Sequence, residues 1–550
     1  MNSMKLRILT LMLIALFLAS CSKKDDNVTP TPPGSGTEVG FMQRSWDGQK
    51  RGDVFYEIFV RSFADGNGDG IGDFKGITDK LDYLHSLGVS GIWLTPMNPS
   101  PSYHGYDVTD YKLTNPQFGT MADFEALLSK AKSLNIKVII DFVINHTSSQ
   151  HPWFQSAKSS ATSPYRSWYL FAPTGSIQEW ISSGKVPTVT TYNSREWYNN
   201  GDGYSYYNAF WDQMPDLNLA NPDVVNAIND AAKFWLDKGV AGFRLDAVKH
   251  AWQDPNATEG YAFWRNFYNA MKAYKPDVYM VGEVLDDAPV VAPYFTSIPA
   301  LFNFKAYWKL TEFLNNATYA KWYPKDFQDV LNIYNSSSSS YTNATKLSNH
   351  DEDRTLSTLG SIPGRAKVAA AVLLTMPGQP YLYYGEEIGM KGIKATGDEN
   401  VREPFLWTTG TDSYRTTWRT PSYSNNSTVT PLAQQKDDAA SIFAVYKKFL
   451  ELRNTYPALA SGSLAYGDIN SQPDNELVYY TRQKDSEKLM VMHNFGSSTK
   501  TVSLAPIVKA LNLSGVKQPV AEQGGAKVTL SGSTYTVTLP GYSSIVVEMN

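Results

Sequence analysis

Cysteine, charge imbalance and long apolar runs are all scarce in this sequence. Cys21 is the only cysteine among 550 residues, so no disulfide can form within the chain. The 49 basic and 53 acidic residues are intermixed and give a net charge of -4, which argues against nucleic acid and other highly charged partners. The apolar run at residues 8–18 is too short to span a bilayer comfortably. The balanced charge favours a neutral substrate.

Aromatic residues, in contrast, are abundant. They make up 13% of the chain, with 14 Trp and 34 Tyr, a composition that suits stacking on sugar rings but also a large, well-packed core. A chain of 550 residues is too long for one core of ordinary size. We therefore expect a large domain with at least one smaller companion.

The N-terminus carries an export pattern. Lys5 and Arg7 precede the apolar run, which ends in Leu-Ala-Ser-Cys21. This is typical of a lipoprotein signal peptide over residues 1–20, with Cys21 as the lipidated residue; a retained membrane helix is the weaker alternative. Residues 21–48 are polar and contain a Pro-, Gly- and Ser-rich stretch, which predicts a flexible tether.

Short β-rich runs alternate with helical patterns from residue 54 onward, as in βα units around a parallel sheet. About eight strands are predicted, the number that closes a barrel. The sequence thus predicts an α/β protein, a (β/α)8 TIM barrel over residues 49–146 and 212–460. The predicted strands are residues 54–60, 91–95, 137–143, 242–246, 278–283, 301–304 (weak), 344–348 and 379–384.

Two segments do not follow the βα alternation. About seventy residues separate the third strand from the next helix, and a structureless loop of that length is unusual, so we expect an inserted subdomain at residues 147–211. After a predicted helix at residues 439–454, alternating strands predict a C-terminal antiparallel β-sandwich over residues 461–550.

Four segments place polar residues at the ends of predicted strands: residues 141–146, 242–250, 282–284 and 347–351. A closed barrel would bring all four to one rim. Retaining cleavage of a glycosidic bond needs one carboxylate as nucleophile and a second group as proton donor, about 5 Å apart. Asp246 and Glu283 can fill these roles. Arg244, two residues before Asp246 on the same strand face, can keep that carboxylate ionised.

Further polar residues lie at the same strand ends. A third carboxylate, Asp351, can bind sugar hydroxyls and favour a distorted ring. His146 and His350 can add hydrogen bonds that strengthen as the oxocarbenium-like state develops.

A glycine-rich loop follows the first predicted strand and alternates oxygen-bearing side chains. One hard cation can collect several such ligands, and calcium fits best. Gly76 occupies the place of the bidentate glutamate of an EF-hand, so no helix-loop-helix unit is expected. The predicted ligands are Asp65, Asn67, Asp69, Ile71 and Asp73.

These motifs together resemble the α-amylase family of glycoside hydrolases, from about residue 50 to the end of the chain. The resemblance implies a nucleophile at Asp246, a general acid/base at Glu283 and a transition-state stabiliser at Asp351. It implies stacking under the cleaved sugar by Tyr106, in the segment His104-Gly105-Tyr106-Asp107. The residues expected to bind substrate are Tyr106, His104, His146, Arg244, Lys249, His250 and His350.

The resemblance has implications beyond the catalytic residues. Many α-amylase relatives bind calcium at the loop described above, with Ile71 as a carbonyl ligand, and a second calcium beside Asn145 is left open. The lipoprotein pattern makes the chain similar to the outer-membrane amylases of bacterial starch-utilisation systems. The expected location is the outer membrane, lipid-anchored and cell-surface exposed. Expected partners are starch, maltooligosaccharides and surface glycan-binding and import proteins.

Several functions remain open. The segment around Met214 and Asn218 is intermediate between oligo-1,6-glucosidases and neopullulanases, whereas Lys249 and His250 resemble the pair that contacts leaving-group sugars in α-amylases. We therefore favour endo cleavage of α-1,4 bonds, with neopullulanase, oligo-1,6-glucosidase and transglycosylase as alternatives. A non-catalytic starch-binding lipoprotein and a transporter-associated subunit are alternatives of other classes. No insertion long enough for an extra starch-binding module is seen.

Overall fold

A computed structural model describes residues 36–50, 52–184, 196–251 and 257–550. The predicted signal peptide, Cys21 and the first part of the predicted tether lie outside these residues. Within the described part of the chain, no helix combines the length and the apolarity that crossing a membrane requires.

Eight parallel strands form a closed barrel, which confirms the predicted fold. Around the barrel each strand pairs with the next and β8 pairs with β1, so no sheet edge is left open. The weakly predicted sixth strand is present. The strands are β1 (Phe55–Ile58), β2 (Gly91–Leu94), β3 (Lys137–Phe142), β4 (Gly242–Leu245), β5 (Tyr279–Gly282), β6 (Ala300–Phe302), β7 (Thr342–Lys346) and β8 (Gln379–Tyr383).

Amphipathic helices surround the barrel, and side-chain caps fix where several of them begin. Asp73 accepts a hydrogen bond from the Gly76 amide at the start of the first long helix. The helices of twelve or more residues are α1 (Phe74–Leu87), α2 (Met121–Ser133), α3 (Pro222–Lys238), α4 (Ala257–Tyr274), α5 (Phe304–Asn315), α6 (Tyr323–Ser337), α7 (Pro363–Thr375) and α8 (Ile442–Thr455). The shorter ones are Val60–Phe63, Pro152–Ser159, Ile177–Ser182, Ala288–Val291, Thr355–Thr358, Leu432–Gln435, Pro457–Ser461 and Leu504–Ala510.

Large side chains fill the barrel interior. Phe55, Trp93, Phe302 and Tyr381 belong to one buried cluster, with the Phe55 and Tyr381 rings stacked 5.0 Å apart. The interior is therefore a packed core. Polar side chains can face solvent only at the rim, where the strands end.

A small antiparallel sheet stands between β3 and α3, where the inserted subdomain is predicted. Its strands are Phe171–Pro173, Tyr204–Asn208 and Glu196–Asn199, in that spatial order. Isolated bridges from His146 to Asp216 and from Tyr169 to Leu217 join the ends of this segment. The insertion therefore stands at the same rim of the barrel as the polar ends of the strands.

The C-terminal region consists of two antiparallel sheets around an apolar core that includes Met490 and Val537, as the predicted sandwich requires. The five-stranded sheet has the order Ser463–Ala465, Leu477–Lys484, Glu487–Asn494, Ser543–Met549 and Val516–Gln523. The four-stranded sheet has the order Thr37–Glu38, Lys527–Ser531, Thr534–Leu539 and Lys500–Ser503.

The end of the predicted tether is part of the fold, so a flexible tether through residue 48 is wrong for that end. Thr37–Glu38 pairs antiparallel with Lys527–Ser531. Arg44 forms ion pairs with Glu487, at 2.7 Å, and with Glu548. An open sheet edge offers unpaired backbone groups, and a short extended segment can pair with them whatever its side chains are. The composition of the segment therefore does not reveal this pairing.

Candidate active site

A cleft opens where the barrel strands end at their carboxyl side. The three predicted catalytic carboxylates line it, together with five of the predicted substrate residues. Arg244 and His350, whose side chains are fully buried, lie beneath its floor. The predicted residues that line the cleft are Asp246, Glu283, Asp351, His104, Tyr106, His146, Lys249 and His250.

Arg244 on β4 is the centre of the charged cluster under the cleft. Its Nη1 donates hydrogen bonds to Asp246 Oδ1 at 2.5 Å and to Asp141 Oδ1 at 2.8 Å. Its Nη2 lies 2.8 Å from Glu283 Oε2, an ion pair without hydrogen-bond geometry. Arg244 therefore fixes the Asp246 carboxylate in direction, whereas it acts on Glu283 through charge alone.

Asp246 is buried and Glu283 is half-buried, and the loss of surrounding water raises the pKa of each carboxyl group. The Arg244 charge opposes the shift in both cases, and it also donates a hydrogen bond to Asp246. Among the described residues, Glu283 Oε2 accepts a hydrogen bond only from the Ala247 amide, at a long 3.4 Å. A hydrogen bond to the ionised form favours that form. Asp246 thus receives a direct hydrogen bond that favours its ionised form, whereas Glu283 is influenced by the charge of Arg244 alone.

Asp351 lies across from this pair and is held in its charged form. His350 Nε2 lies 3.0 Å from Asp351 Oδ2, and Arg402 Nη2 lies 2.8 Å from Oδ1. Burial alone would raise the pKa of Asp351, but His350, Arg402 and Lys394 outweigh burial and hold that pKa well below its usual range. The cleft therefore contains one carboxylate whose charged form is favoured by three neighbouring basic groups.

His350 is a buried cation that supports this carboxylate. Burial lowers its pKa, but Asp351 and Glu57 overcome that effect and raise the pKa to about 9. Glu57 on β1 accepts a hydrogen bond from His350 Nδ1 at 2.6 Å. Tyr106 stacks on the His350 ring at 5.4 Å between centroids and donates a 3.0 Å hydrogen bond to Asp141. The Tyr106 ring is therefore held rigidly at the cleft.

The remaining predicted substrate residues form the other walls of the cleft. His146 Nε2 donates to the Tyr106 carbonyl at 3.1 Å, and burial lowers the His146 pKa to about 4, so this imidazole is neutral. Phe210 from the inserted segment contacts the rings of His146 and His250, at 5.2 and 5.3 Å. Lys249 pairs with Asp286 at 2.8 Å. The insertion therefore contributes one side of the cleft.

Sequence reasoning missed several residues of this site. Asp141 on β3 and Glu57 on β1 support Arg244 and His350 from below. Asp141 begins one of the four polar segments but was assigned no role, and Glu57 carries no signal beyond its place on a strand. Arg402 comes from the loop after β8, where no motif was recognised. Further lining residues that were not predicted are Phe210, Trp211, Met214, Ala247, Leu285, Phe304, Asn349, Glu352, Lys394, Asp398 and Arg402.

The predicted calcium loop precedes α1, away from these residues. Asp65 and Asp73 are buried and converge on the Asn67 amide, which lies 3.2 and 3.1 Å from their oxygens. Burial raises the pKa of Asp73, and so does the Asp65 charge. Asp65 also accepts hydrogen bonds from the Gly68 and Gly70 amides, and Asp73 accepts them from the Gly66 and Gly76 amides.

The other predicted ligands lie along the same loop. The Asp69 side chain is exposed and accepts a 2.8 Å hydrogen bond from the Ile71 amide. Among the described residues, no three His, Cys, Asp or Glu side chains converge as a metal site. The loop therefore brings two buried carboxylates close together, with the Asp69 side chain on its exposed side.

Known families cover most of this chain. Residues 57–462 match the α-amylase catalytic domain, and residues 477–546 match the C-terminal domain of the α-amylase SusG. The chain therefore belongs to the α-amylase family of glycoside hydrolases, as the sequence predicted.

Individual relatives span nearly the whole chain. Alpha-amylase SusG of Bacteroides thetaiotaomicron is 34% identical over 99% of both chains. Alpha-amylase 3 of Dictyoglomus thermophilum is 39% identical over 90% of this chain and 93% of its own. The oligo-1,6-glucosidase of Parageobacillus thermoglucosidasius is 30% identical over 84% and 92%. Relatives named as α-amylases and as an oligo-1,6-glucosidase thus both match most of this chain.

A solved structure shows the same architecture. The α-amylase from H. orenii superposes with a TM-score of 0.79 and 36% identity, covering 91% of this chain and 100% of that one.

The alignment with SusG has 699 positions against 550 residues here, so that relative carries segments without a counterpart in this chain. This agrees with the absence of a long insertion in the sequence.

Proposed function

We propose that this glycoside hydrolase is a retaining, endo-acting α-amylase that cleaves α-1,4-glucosidic bonds in starch and maltooligosaccharides. The observation that carries the proposal is the unequal contact of Arg244 with two carboxylates, a 2.5 Å hydrogen bond to Asp246 and a charge contact with Glu283. Two carboxylates on one guanidinium are close together, and a close pair is what retention of configuration requires.

The roles follow from the protonation states. The Asp246 carboxylate attacks the anomeric carbon while Glu283 donates its proton to the oxygen of the leaving sugar. Glu283, now ionised, then removes a proton from the water that releases the sugar from Asp246. Asp351 is held charged by His350 and Arg402, so it can favour the positive charge that develops on the sugar ring.

Bond preference is the open part of this proposal. Lys249 and His250 line the cleft where the leaving-group sugars would bind, which favours α-1,4 endo cleavage. Product analysis on amylose, pullulan, isomaltose and cyclodextrin with one preparation tests it. Shortening of internal amylose chains with little action on isomaltose is expected. Glucose from isomaltose would support an oligo-1,6-glucosidase, and panose from pullulan a neopullulanase.

Calcium binding at the Asp65–Asp73 loop is a second part of the proposal, with Asp65, Asn67, Asp69, Asp73 and the Ile71 carbonyl as ligands. Two buried carboxylates that lie together and repel each other support it. The cation would stabilise the loop and the start of α1. Because the loop lies outside the cleft, no bond-breaking step depends on it.

We expect chelation to lower the melting temperature and calcium to restore it. A ligand that binds only the folded state at a hundredfold excess over its Kd stabilises that state by about 2.7 kcal/mol. Differential scanning calorimetry with and without chelator measures the shift. Asp65→Asn should abolish the response, whereas Asp230→Asn, on the exposed face of α3, should keep it. Equal melting curves in chelator and in calcium, at confirmed metal contents, would refute the site.

Membrane anchoring through Cys21 is a third part of the proposal, supported by the Leu-Ala-Ser-Cys pattern after a signal-length apolar run. Lipoprotein maturation supplies several acyl chains, which anchor a protein firmly where one chain does not. On this basis we also propose display on the outer membrane, where surface glycan-binding and import proteins would be partners.

Substituting Cys21→Ala should move the protein from the membrane fraction to the soluble fraction or to a mislocalised precursor. Fractionation followed by immunoblotting measures this change, and Thr31→Ser, outside the Leu-Ala-Ser-Cys pattern, serves as the control. Protease treatment of intact cells tests surface display separately. A Cys21→Ala protein that remained in membranes at the wild-type level would contradict lipid anchoring.

A further inference from the structure

A fully buried lysine lies behind one wall of the cleft and takes no part in the mechanism above. Lys346 is the last residue of β7, and its side chain is only 1% exposed. Burial lowers its pKa to about 7 against the opposing charges of Glu57, Glu283 and other carboxylates. A buried lysine is costly, so its partners at this position need an explanation.

Lys346 has one partner in an ion pair among the described residues, Glu352, and the two side chains are in direct contact. Glu352 lines the cleft and is 18% exposed there. The Lys346 ammonium also lies over two rings from α5, at 4.4 Å from the Phe304 centroid and 5.1 Å from that of Tyr307. Phe304 lines the cleft as well. One buried lysine therefore contacts both an acidic and an aromatic residue of the same wall.

The order of the strands shows which side of the cleft Glu352 and Phe304 occupy. Phe304 follows β6, which lies between β5, before Glu283, and β7, before Asp351. Tyr106 and His104 follow β2, on the opposite side of the barrel. The wall thus adjoins the residue that protonates the leaving oxygen and faces away from the ring that stacks on the cleaved sugar. A sugar beside Glu283 on this side is the one that leaves.

We propose that Glu352 hydrogen-bonds a hydroxyl of the leaving-group sugar, and that Lys346 is a positioning residue that holds Glu352 and Phe304 in place for this contact. The inference rests on the proposed function, since it assigns the leaving side from the role of Glu283. A carboxylate held in direct contact with a buried lysine presents a fixed acceptor to a sugar hydroxyl. A hydrogen bond to a charged group contributes about 1.5–3 kcal/mol. Its loss should therefore lower kcat/KM by about tenfold to a hundredfold.

Two substrates separate this contact from the rest of the site. Maltopentaose has a sugar as its leaving group, whereas an activated aryl maltotrioside releases an aryl group without sugar hydroxyls. Glu352→Gln should lower kcat/KM by about tenfold or more on maltopentaose. The loss on aryl release should be several times smaller. Glu312→Gln, an exposed glutamate on α5, should behave as wild type on both.

Lys346→Met tests the positioning role. It should reproduce the selective loss on maltopentaose, and the double variant with Glu352→Gln should lose little more than either single variant, because both act through one contact. Should Lys346→Met fail to fold, Glu352→Gln still decides the central point. Equal losses on the two substrates, or none on maltopentaose, would overturn the inference. Wild-type inactivity on both substrates would instead contradict the proposed function.

Discussion

Asp246→Asn should abolish cleavage of every substrate, including activated aryl maltosides, by about 10⁴-fold or more. The reason is that the nucleophile forms the bond to carbon in each turnover, and no leaving group is good enough to replace it. The side chain keeps its shape, so Arg244 retains a hydrogen-bond acceptor at this position. Initial rates on starch and on an aryl maltoside measure the loss, and melting curves check that the fold is retained.

Glu283→Gln should show a different pattern because this residue moves protons. Starch cleavage should fall by about 10²–10⁴-fold. The first step on an activated aryl maltoside should fall far less, since an aryl group leaves without a proton. Water is then not activated, so a burst of aryl release followed by a stalled sugar on Asp246 is expected. Intact-protein mass spectrometry with peptide mapping locates that sugar.

Contrary outcomes are distinct for the two residues. A sugar attached elsewhere than Asp246, or wild-type activity in Asp246→Asn, would contradict the assignment of the nucleophile. Equal losses on starch and aryl maltoside in Glu283→Gln would contradict its role as proton donor. Products of inverted anomeric configuration, seen by NMR at early times, would contradict the retaining mechanism itself.

The barrel was predictable because its signals are local. β-rich runs such as Lys137–Phe142 are buried along nearly their whole length, and helices such as Pro222–Lys238 carry start and stop residues. The sixth strand was weak because only three residues pair. The pairing of Thr37–Glu38 with Lys527–Ser531 was not predictable, since nearly five hundred residues separate the partners and the pairing uses backbone groups alone.

In the candidate site, too, residues with a local sequence signal were predictable and residues placed by tertiary packing were not. Asp246, Glu283 and Asp351 could be found because each ends a recognisable strand or motif, and the fold brings them to one cleft. Arg402 could not, because it approaches Asp351 from a loop whose path depends on tertiary packing. Lys346 was hidden for another reason. A lysine on a strand is usually a solvated residue, and only the closed barrel buries it.

Arg244→Met should lower both kcat/KM and the free energy of unfolding by a large amount. Three buried carboxylates, Asp141, Asp246 and Glu283, would lose the cation that they share. Removing one partner of a buried ion pair costs about 3–5 kcal/mol. The Asp246 pKa is raised by burial and lowered by Arg244, so it should rise further in the variant. The acidic limb of the pH profile of kcat/KM should therefore move to higher pH.

The stability loss should depend on pH in a defined direction. Carboxyl groups with a raised folded-state pKa favour the folded state when protonated, and they destabilise it as the pH rises above their unfolded pKa of about 4. The Asp141 pKa is already raised to about 7 by burial, although Arg244 opposes the shift. The difference in melting temperature between Arg244→Met and wild type should thus be largest near neutral pH and shrink toward pH 4.

Arg244→Lys is the matched control for this prediction. It keeps one positive charge but cannot bond two carboxylates in the fixed geometry of a guanidinium. Stability should recover in part and the acidic limb should return toward its wild-type position, while kcat stays low because Asp246 is no longer held in direction. An unmoved acidic limb in Arg244→Met would show that Arg244 does not set the ionisation of Asp246, and the unequal contact with Asp246 and Glu283 would then lose its mechanistic meaning.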